Sequence, residues 1–207
     1  MKGQIFNSDP VAKWPLDETY DDRMNTYDAI PSNNPVFTKN GYVNQAILFN
    51  ATRNQSLIAP HIPLAANSFT IELWLKIPKY VNPSDHSILG LCPSAVNAHD
   101  CLHLVIRSAD HHLMFGFFHD DCHGSFSVPL NEWIHAAFVF DKNTLKQIIY
   151  VNGIIDAICT ASGSITPTTG SITIGGVPLL IPSAGLNYFN VNFIVDHETC
   201  FLQSVTF

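Results

Sequence analysis

The chain has 207 residues, of which 46% are hydrophobic and only 13% are charged. Lys and Arg number 10 against 17 Asp and Glu, which gives a net charge of −7. This acidic balance excludes a typical nucleic-acid-binding protein, because such a protein needs basic groups to displace the counterions of the phosphates. The apolar runs are strand-sized, so the sequence predicts no transmembrane segment, which would need about 18 consecutive apolar residues.

Short apolar segments, bounded by Gly, Pro, Asn, Asp and Ser, recur along the chain and predict β-strands. In chain order they span residues 14–17, 46–49, 69–77, 102–107, 113–118, 133–140, 145–151, 154–158, 171–174 and 193–207. Asn152-Gly153 predicts a tight hairpin turn, because both residues tolerate positive φ. At least ten short antiparallel strands predict an all-β fold, a two-sheet sandwich formed by a single domain over residues 1–207.

The segment 69–77 alternates most regularly between apolar and other residues. Its odd-numbered positions carry Phe, Ile and Leu on one face, while Glu72, Trp74 and Lys76 fall on the other. Because tryptophan is large and apolar, we expect Trp74 and Trp133 to bury a large area in the sandwich or at its immediate margin.

The cysteine spacing predicts one disulfide. Cys92 and Cys101 flank a loop of eight residues between adjoining predicted strands, which would bring their Cα atoms within the 4.4–6.8 Å that a disulfide requires. A second bridge, Cys122 with Cys159 or Cys159 with Cys200, is left open, and an odd count leaves at least one cysteine free. The alternative is a set of buried thiols that pack as small hydrophobic groups.

The sequence also favours an oxidising compartment. Two glycosylation sequons, at Asn50 and Asn54, accompany the five cysteines. The N-terminal residues lack the apolar centre of a secretion signal. We therefore expect an extracellular or secreted location, with the chain as part of a larger protein.

Three segments carry a family resemblance: FTIELW at 69–74, WIHAAFVFD at 133–141 and YVNG at 150–153. They resemble laminin G-like domains, which share the concanavalin A-like jelly roll with pentraxins and legume lectins. The resemblance covers about residues 12–207 and implies a jelly-roll sandwich. It does not settle the function, because lectins, adhesion modules and glycosidases all use this fold.

The resemblance also implies candidate calcium ligands. Asp100 takes the place of an acidic calcium ligand of pentraxins, whereas Cys101 stands where those proteins have Asn. Laminin G-like relatives hold a structural calcium near the first strand, and this chain has an acidic stretch there with Asp17, Asp21 and Asp22. Carboxylates are among the oxygen ligands that calcium prefers, so these four aspartates are the candidate ligands, and a solvated loop is the alternative for the acidic stretch.

Loops at one rim of the sandwich are the expected ligand-binding surface. By the resemblance they span residues 92–101, 119–127 and 176–187. The polar side chains proposed to contact a carbohydrate or an extracellular protein are Asn97, Asp100, Asp120, Asp121 and Asn187.

Catalysis is not expected. Retaining glycosidases need two carboxyl groups about 5–5.5 Å apart, and the glutamates at 18, 72, 132 and 198 form none of the paired motifs of jelly-roll glycosidases. The predicted function is therefore a non-catalytic recognition module. A structural or adhesion spacer and, less favoured, a glycosidase-like enzyme are the alternatives.

Overall fold

The computed structural model describes residues 10–65, 67–80, 85–92, 99–117, 119–166, 170–176 and 193–205. These residues form one short 3-10 helix, Ala51–Arg53, and a series of β-strands. The strands are β1 (Ile30–Ser32), β2 (Val36–Thr38), β3 (Ala46–Phe49), β4 (Ser56–Ala59), β5 (Ser68–Lys76), β6 (His86–Leu91), β7 (Leu102–Ile106), β8 (His112–Gly116), β9 (Asp121–Ser127), β10 (Ile134–Asp141), β11 (Lys146–Val151), β12 (Ile154–Thr160), β13 (Ile172–Ile174) and β14 (Phe193–Val205).

The strands form two seven-stranded sheets. The first has the order β1-β4-β13-β6-β7-β8-β9 and the second the order β12-β11-β10-β5-β14-β3-β2. Neighbouring strands run antiparallel in both sheets. This is the predicted all-β sandwich of the concanavalin A-like jelly-roll type. The Asn152-Gly153 turn between β11 and β12 is also confirmed, with φ angles of 50° and 77°.

Alternation along the strands builds the core between the sheets. In β5 every second side chain from Phe69 to Leu75 is buried, and β10 alternates in register with it. Five phenylalanines from the two sheets pack edge-on or tilted, with the Phe117 and Phe140 rings 4.8 Å apart. These core rings are Phe69, Phe115, Phe117, Phe138 and Phe140.

The segment 14–17 is not a strand, contrary to the prediction, although Trp14 and Leu16 are fully buried in the core. Leu16 has a φ of 59°, which interrupts an extended conformation. Apolar character therefore identified burial here but not secondary structure. None of the helical structure in the described ranges has the length and hydrophobicity needed to traverse a bilayer.

One side of the sandwich is closed by contacts between its two sheets. The Cys122–Cys159 disulfide joins the edge strands β9 and β12. Beside it, Asp156 of β12 accepts hydrogen bonds from the backbone N–H and the hydroxyl of Ser125 in β9. The buried Gln147 amide of β11 reaches the first sheet and donates to the Phe115 carbonyl over 3.0 Å. The free edge of β9 therefore finds hydrogen-bond acceptors within the chain.

Trp74 and Trp133 lie outside the core between the sheets, although both side chains are partly buried. Both indoles are half-buried on the outer face of the second sheet. The physical reason is the alternation of β5, which turns Trp74 to the same side as Glu72 and Lys76. The tryptophan of the core is Trp14.

Truncation of a core ring should therefore be far more costly than truncation of an outer indole. Phe140→Ala is expected to lower the free energy of unfolding by about 3–5 kcal/mol, because it removes transfer energy and leaves a cavity. Trp133→Ala, the matched control, should lower it clearly less. Urea denaturation of both variants measures this difference, and equal losses would place Trp133 in the core.

Candidate functional site

The structure contains the predicted disulfide at the rim. Cys92 and Cys101 are bridged with their Cα atoms 4.2 Å apart, and they connect the end of β6 to the start of β7. With the Cys122–Cys159 bridge, one of the two alternatives left open by the sequence, four of the five cysteines are paired. Cys200 is the fifth.

Much of the predicted rim surface lies outside the described residues. This applies to Asn97, to Asn187 and to the loop 177–187. Asp100 is described; it is half-buried and directly precedes Cys101 at the start of β7.

Asp120 ties three loops of the rim together. Its Oδ2 atom accepts hydrogen bonds from both the backbone N–H and the hydroxyl of Ser162, each over 2.9 Å. The Nδ1 atom of His99 lies 2.9 Å from the same oxygen, and Thr166 donates its N–H to the His99 carbonyl. The Asp120 carboxylate thus holds the loop of Ser162 and the loop of His99 together, which indicates a structural role for these contacts.

Asp121 lies in a strand and not in a rim loop. The segment 119–127 was predicted as a loop, but Asp121–Ser127 forms β9 and pairs with β8. The prediction failed because Gly, Ser and charged residues give this segment the composition of a loop. The segment nevertheless pairs with β8, and its Cys122 side chain is fully buried and bridged to the other sheet.

The Asp121 carboxylate has a buried histidine as its partner. His103 is only 1% exposed, and its Nε2 atom lies 3.4 Å from Asp121 Oδ1. Burial alone would raise the pKa of Asp121, but the hydrogen bond and charge of His103, with the charges of His123 and His119, lower it below its usual range. Gly116 lies beneath this pair, and a Cβ atom there would collide with both side chains.

Asp22, a predicted calcium ligand, organises the loop after the first core residues. Its Oδ1 atom accepts hydrogen bonds from the N–H groups of Lys13 and Met24, and its Oδ2 atom from those of Thr26 and Tyr27. A carboxylate offers about four acceptor positions, so these donors occupy the capacity of the buried Asp22 side chain.

The other predicted calcium ligands are not gathered around Asp22. Asp21 is exposed, and its backbone N–H donates to the Thr19 hydroxyl. Over the described ranges, no group of three or more His, Cys, Asp or Glu side chains is arranged to hold a metal ion. Calcium binding therefore stays a prediction.

Replacement of Asp22 should destabilise the protein whether or not calcium binds. Asp22→Ala is expected to cost at least about 2 kcal/mol of unfolding free energy, since each partly buried N–H without an acceptor costs about 1–3 kcal/mol. Asp21→Ala is the control and should cost little. Thermal melting with and without a chelator completes the test: a lower melting temperature in chelator would support calcium, and identical curves would remove it.

Asp17, also a predicted calcium ligand, holds the loop 39–45 between β2 and β3. Its Oδ1 atom accepts from the Gln45 N–H over 3.0 Å, and its Oδ2 atom from the Asn44 side-chain amide over 3.3 Å. The neighbouring Glu18 accepts from the Gln45 side-chain amide. The acidic stretch thereby fixes a loop that carries an aromatic side chain.

That side chain, Tyr42, completes an aromatic surface on the outer face of the second sheet. Its ring lies parallel to that of Trp74, with centroids 3.7 Å apart and 12° between the planes. The Trp133 ring stands at 69° to Tyr42, with centroids 6.3 Å apart. Because Trp74 covers one face of Tyr42 and the side chain is still 49% exposed, its other face is open to solvent. We call Tyr42, Trp74 and Trp133 the aromatic surface.

Sheet register brings these rings together. His135 of β10 is the partner of Trp74 in β5, so Trp133, two residues before His135, lies on the same face. On the other side of β5, Asp196 of β14 pairs with both Trp74 and Ala46, the first residue of β3. The loop 39–45 that precedes Ala46 therefore ends at the level of Trp74.

His135 borders the aromatic surface. Its ring centroid lies 5.2 Å from that of Trp74, and its Nε2 atom lies 3.7 Å from Glu72 Oε2. Burial lowers the pKa of His135 below its ordinary value of 6.5. The separation from Glu72 exceeds a hydrogen bond, so burial outweighs the carboxylate.

The lowered pKa predicts that His135 makes stability depend on pH. As the pH falls below 6.5, the unfolded chain takes up a proton on His135 before the folded protein does, so the folded state loses stability relative to it. The difference in melting temperature between wild type and His135→Gln should therefore shift against the wild type as the pH falls from 7 to about 5. A difference that is constant over this range would contradict the lowered pKa.

Sequence reasoning missed the aromatic surface, although one signal was present. Trp74 lies between Glu72 and Lys76 on the polar face of an alternating strand, where a large apolar ring is unexpected unless it has a partner or a ligand. Tyr42 had no such signal, because its place on Trp74 depends on the path of a loop past β14.

Solved structures with the same fold include carbohydrate-bound domains. Domain 4 of AbnA, a GH43 extracellular arabinanase from Geobacillus stearothermophilus solved with arabinotriose, is 16% identical with a TM-score of 0.65, and the match covers 93% of both chains. The binding domain of botulinum neurotoxin DC, solved in complex with SialylT, is 15% identical with a TM-score of 0.67. That match covers 97% of this chain but 49% of the neurotoxin domain, so the chain spans about half of it. The Trypanosoma rangeli sialidase is 14% identical with a TM-score of 0.64, over 95% of this chain and 31% of the sialidase.

At such identities the structural likeness shows the fold alone. No curated protein sequence matches the chain. The sequence does match a laminin G-type family model, described as the concanavalin A-like lectin/glucanases superfamily, over residues 50–192. Because this match covers more than half of the chain, the protein belongs to the concanavalin A-like lectin/glucanases superfamily.

Proposed function

We propose that this protein is a non-catalytic recognition module that binds carbohydrate on its aromatic surface. The observation that carries the proposal is the open face of Tyr42 beside the steeply inclined ring of Trp133. Together the two rings form a corner on an otherwise regular sheet. A corner of this kind offers a sugar ring two apolar walls.

The chemistry of a sugar suits such a corner. A pyranose ring presents C–H groups on its faces and hydroxyl groups at its edge, so it can stack on an aromatic ring while its hydroxyls bind polar groups nearby. Tyr and Trp provide large, rigid contact areas at a low cost in conformational entropy. Polar partners border the rings, since Glu72 and His135 flank Trp74.

Proteins of similar fold support carbohydrate as the ligand. The arabinanase domain was solved with arabinotriose, and the neurotoxin DC binding domain with SialylT. Cell entry of botulinum neurotoxin type C, another structural neighbour, depends on interaction with two ganglioside molecules. The ligands of these structural neighbours therefore support a carbohydrate-binding role for this chain.

The contacts of the rim carboxylates support a non-catalytic role. Glycosidases place two carboxyl groups on either side of the scissile bond, one of them as an acid. Here Asp120 is engaged with Ser162 and His99, and Asp121 with His103. These contacts use the carboxylates to hold the fold.

Several features support an extracellular setting. Two disulfides tie the rim and one side of the sandwich, and such bridges persist in oxidising compartments. Of the two sequon asparagines, Asn54 is exposed in a left-handed turn, while Asn50 caps the 3-10 helix through its side-chain oxygen.

Binding to a glycan array and titration calorimetry with the glycans it identifies test the proposal. Tyr42→Ala and Trp133→Ala should each weaken binding about tenfold or more, because aromatic anchors dominate the energy of such contacts. Phe126→Ala is the matched control: this ring is also exposed but lies on β9 in the other sheet. Unchanged affinity in both aromatic-surface variants would contradict binding at the aromatic surface and would favour the rim loops as the ligand site.

A protein partner is the second candidate, favoured by one observation. The edge strand β12 exposes Ile154, Ile155 and Ile158, with Ile154 73% accessible. An apolar edge strand favours contact with another protein chain. The neurotoxin DC binding domain has also been solved with rat synaptotagmin II. We rank this candidate second because the exposed isoleucines do not indicate the chemistry of a partner.

A further inference from the structure

A lysine side chain extends over the aromatic surface. The Nζ atom of Lys76 lies 4.8 Å from the centroid of the Trp133 ring. Lys76 follows Trp74 by two residues on the same face of β5, about 7 Å along the strand. The ammonium group therefore belongs to the corner that Tyr42 and Trp133 form.

The positive charge of Lys76 stands out in its surroundings. The chain carries a net charge of −7 with 10 Lys and Arg in 207 residues. Among the side chains that the structure describes, no ion pair joins Lys76 to a carboxylate. Glu72, on the same face, lies about 13 Å away along the strand, which exceeds the Debye length of about 8 Å at physiological ionic strength.

Within the part of the chain that the structure describes, the aromatic surface therefore carries a positive group at one end and a carboxylate at the other. Its Lys76 end is positive, while at its other end Glu72 lies 3.7 Å from His135. Contact with the Trp133 ring restricts the lysine to one region above the sheet. The ring provides no oxygen acceptor, so contact with Trp133 does not use any of the three N–H groups of the ammonium, which an anionic ligand can accept.

From this arrangement we propose that the preferred ligand is an anionic glycan, whose carboxylate or sulfate group binds Lys76 while a sugar ring stacks in the corner of Tyr42 and Trp133. This inference rests on the proposed carbohydrate-binding function and specifies its ligand class. A charge-assisted hydrogen bond from the ammonium is stronger than one between neutral groups. A neutral sugar would stack on the same rings but would leave this contact unmade.

Titration calorimetry with matched glycans tests the inference. Lactose, sialyllactose and sulfated lactose differ in the anionic group, so they separate a neutral ligand from a carboxylate and from a sulfate. We expect wild type to bind at least one of the two anionic glycans about tenfold or more tightly than lactose. Lys76→Gln should abolish this preference, so that the anionic glycans bind no more tightly than lactose does to the same variant, while Lys76→Arg should retain most of it. Added salt should weaken only the binding of the anionic glycan.

Two control variants separate the possible failures. Lys146→Gln removes the same charge at the far end of β11 and should leave the preference intact. Trp133→Ala should weaken the binding of lactose and of the anionic glycans alike. If all three glycans bind equally, or if Lys76→Gln keeps the preference, the inference is overturned while the proposed function stands. If no glycan binds, or if Trp133→Ala has no effect, the proposed function and this inference both fail.

Discussion

The strict alternation of β5 is the constraint on which both the core and the candidate site depend. Its inward side chains pack between the sheets, and the same backbone presents Glu72, Trp74 and Lys76 outward. Since β5 lies between β10 and β14, its register also sets that of its neighbours. A slip by one residue would exchange the two faces, burying two charges and exposing the core. The energetic preference for burying one face of β5 thereby fixes the geometry of the aromatic surface on the other face.

Acidic side chains near the start of the chain organise loops that lack strand partners. Backbone N–H groups outside the sheets still need acceptors, and carboxylates provide several at once. Asp22 accepts four of them, and Asp17 holds the loop of Tyr42 through Gln45 and Asn44. Part of the negative charge of the chain is thus structural. Asp17 also connects the first core segment to the aromatic surface, because it follows the buried Leu16 and accepts hydrogen bonds from the loop that carries Tyr42.

At one side of the sandwich, a disulfide and several hydrogen bonds join the edge strands β9 and β12 of the two sheets. Two sheet edges meet there, and unpaired strand edges favour unwanted pairing with other chains. Cys122–Cys159 joins the edges, and Asp156 accepts the N–H groups of Ser125 and Phe126. The edge of β9 is thereby satisfied within the chain, whereas β12 still exposes its isoleucines to solvent. The two edges consequently differ in what they offer to a partner.

Features set by neighbours in the chain were predictable from the sequence alone. The alternation of residues 69–77, the Asn152-Gly153 turn and the Cys92–Cys101 bridge across a short loop each depend on local spacing, and the structure contains all three. The size and hydrophobicity of Trp133 could not determine on which side of the sheet it lies. The segment 121–127 was predicted as a loop and not as strand β9, because its composition is typical of a loop. The position of Tyr42 on Trp74 was decided by tertiary structure only, because it requires β3, β14 and β5 to be in register and the distant Asp17 to hold the loop. Such contacts join segments whose separation in sequence carries no periodic signal, so they exist only once the sheet has assembled.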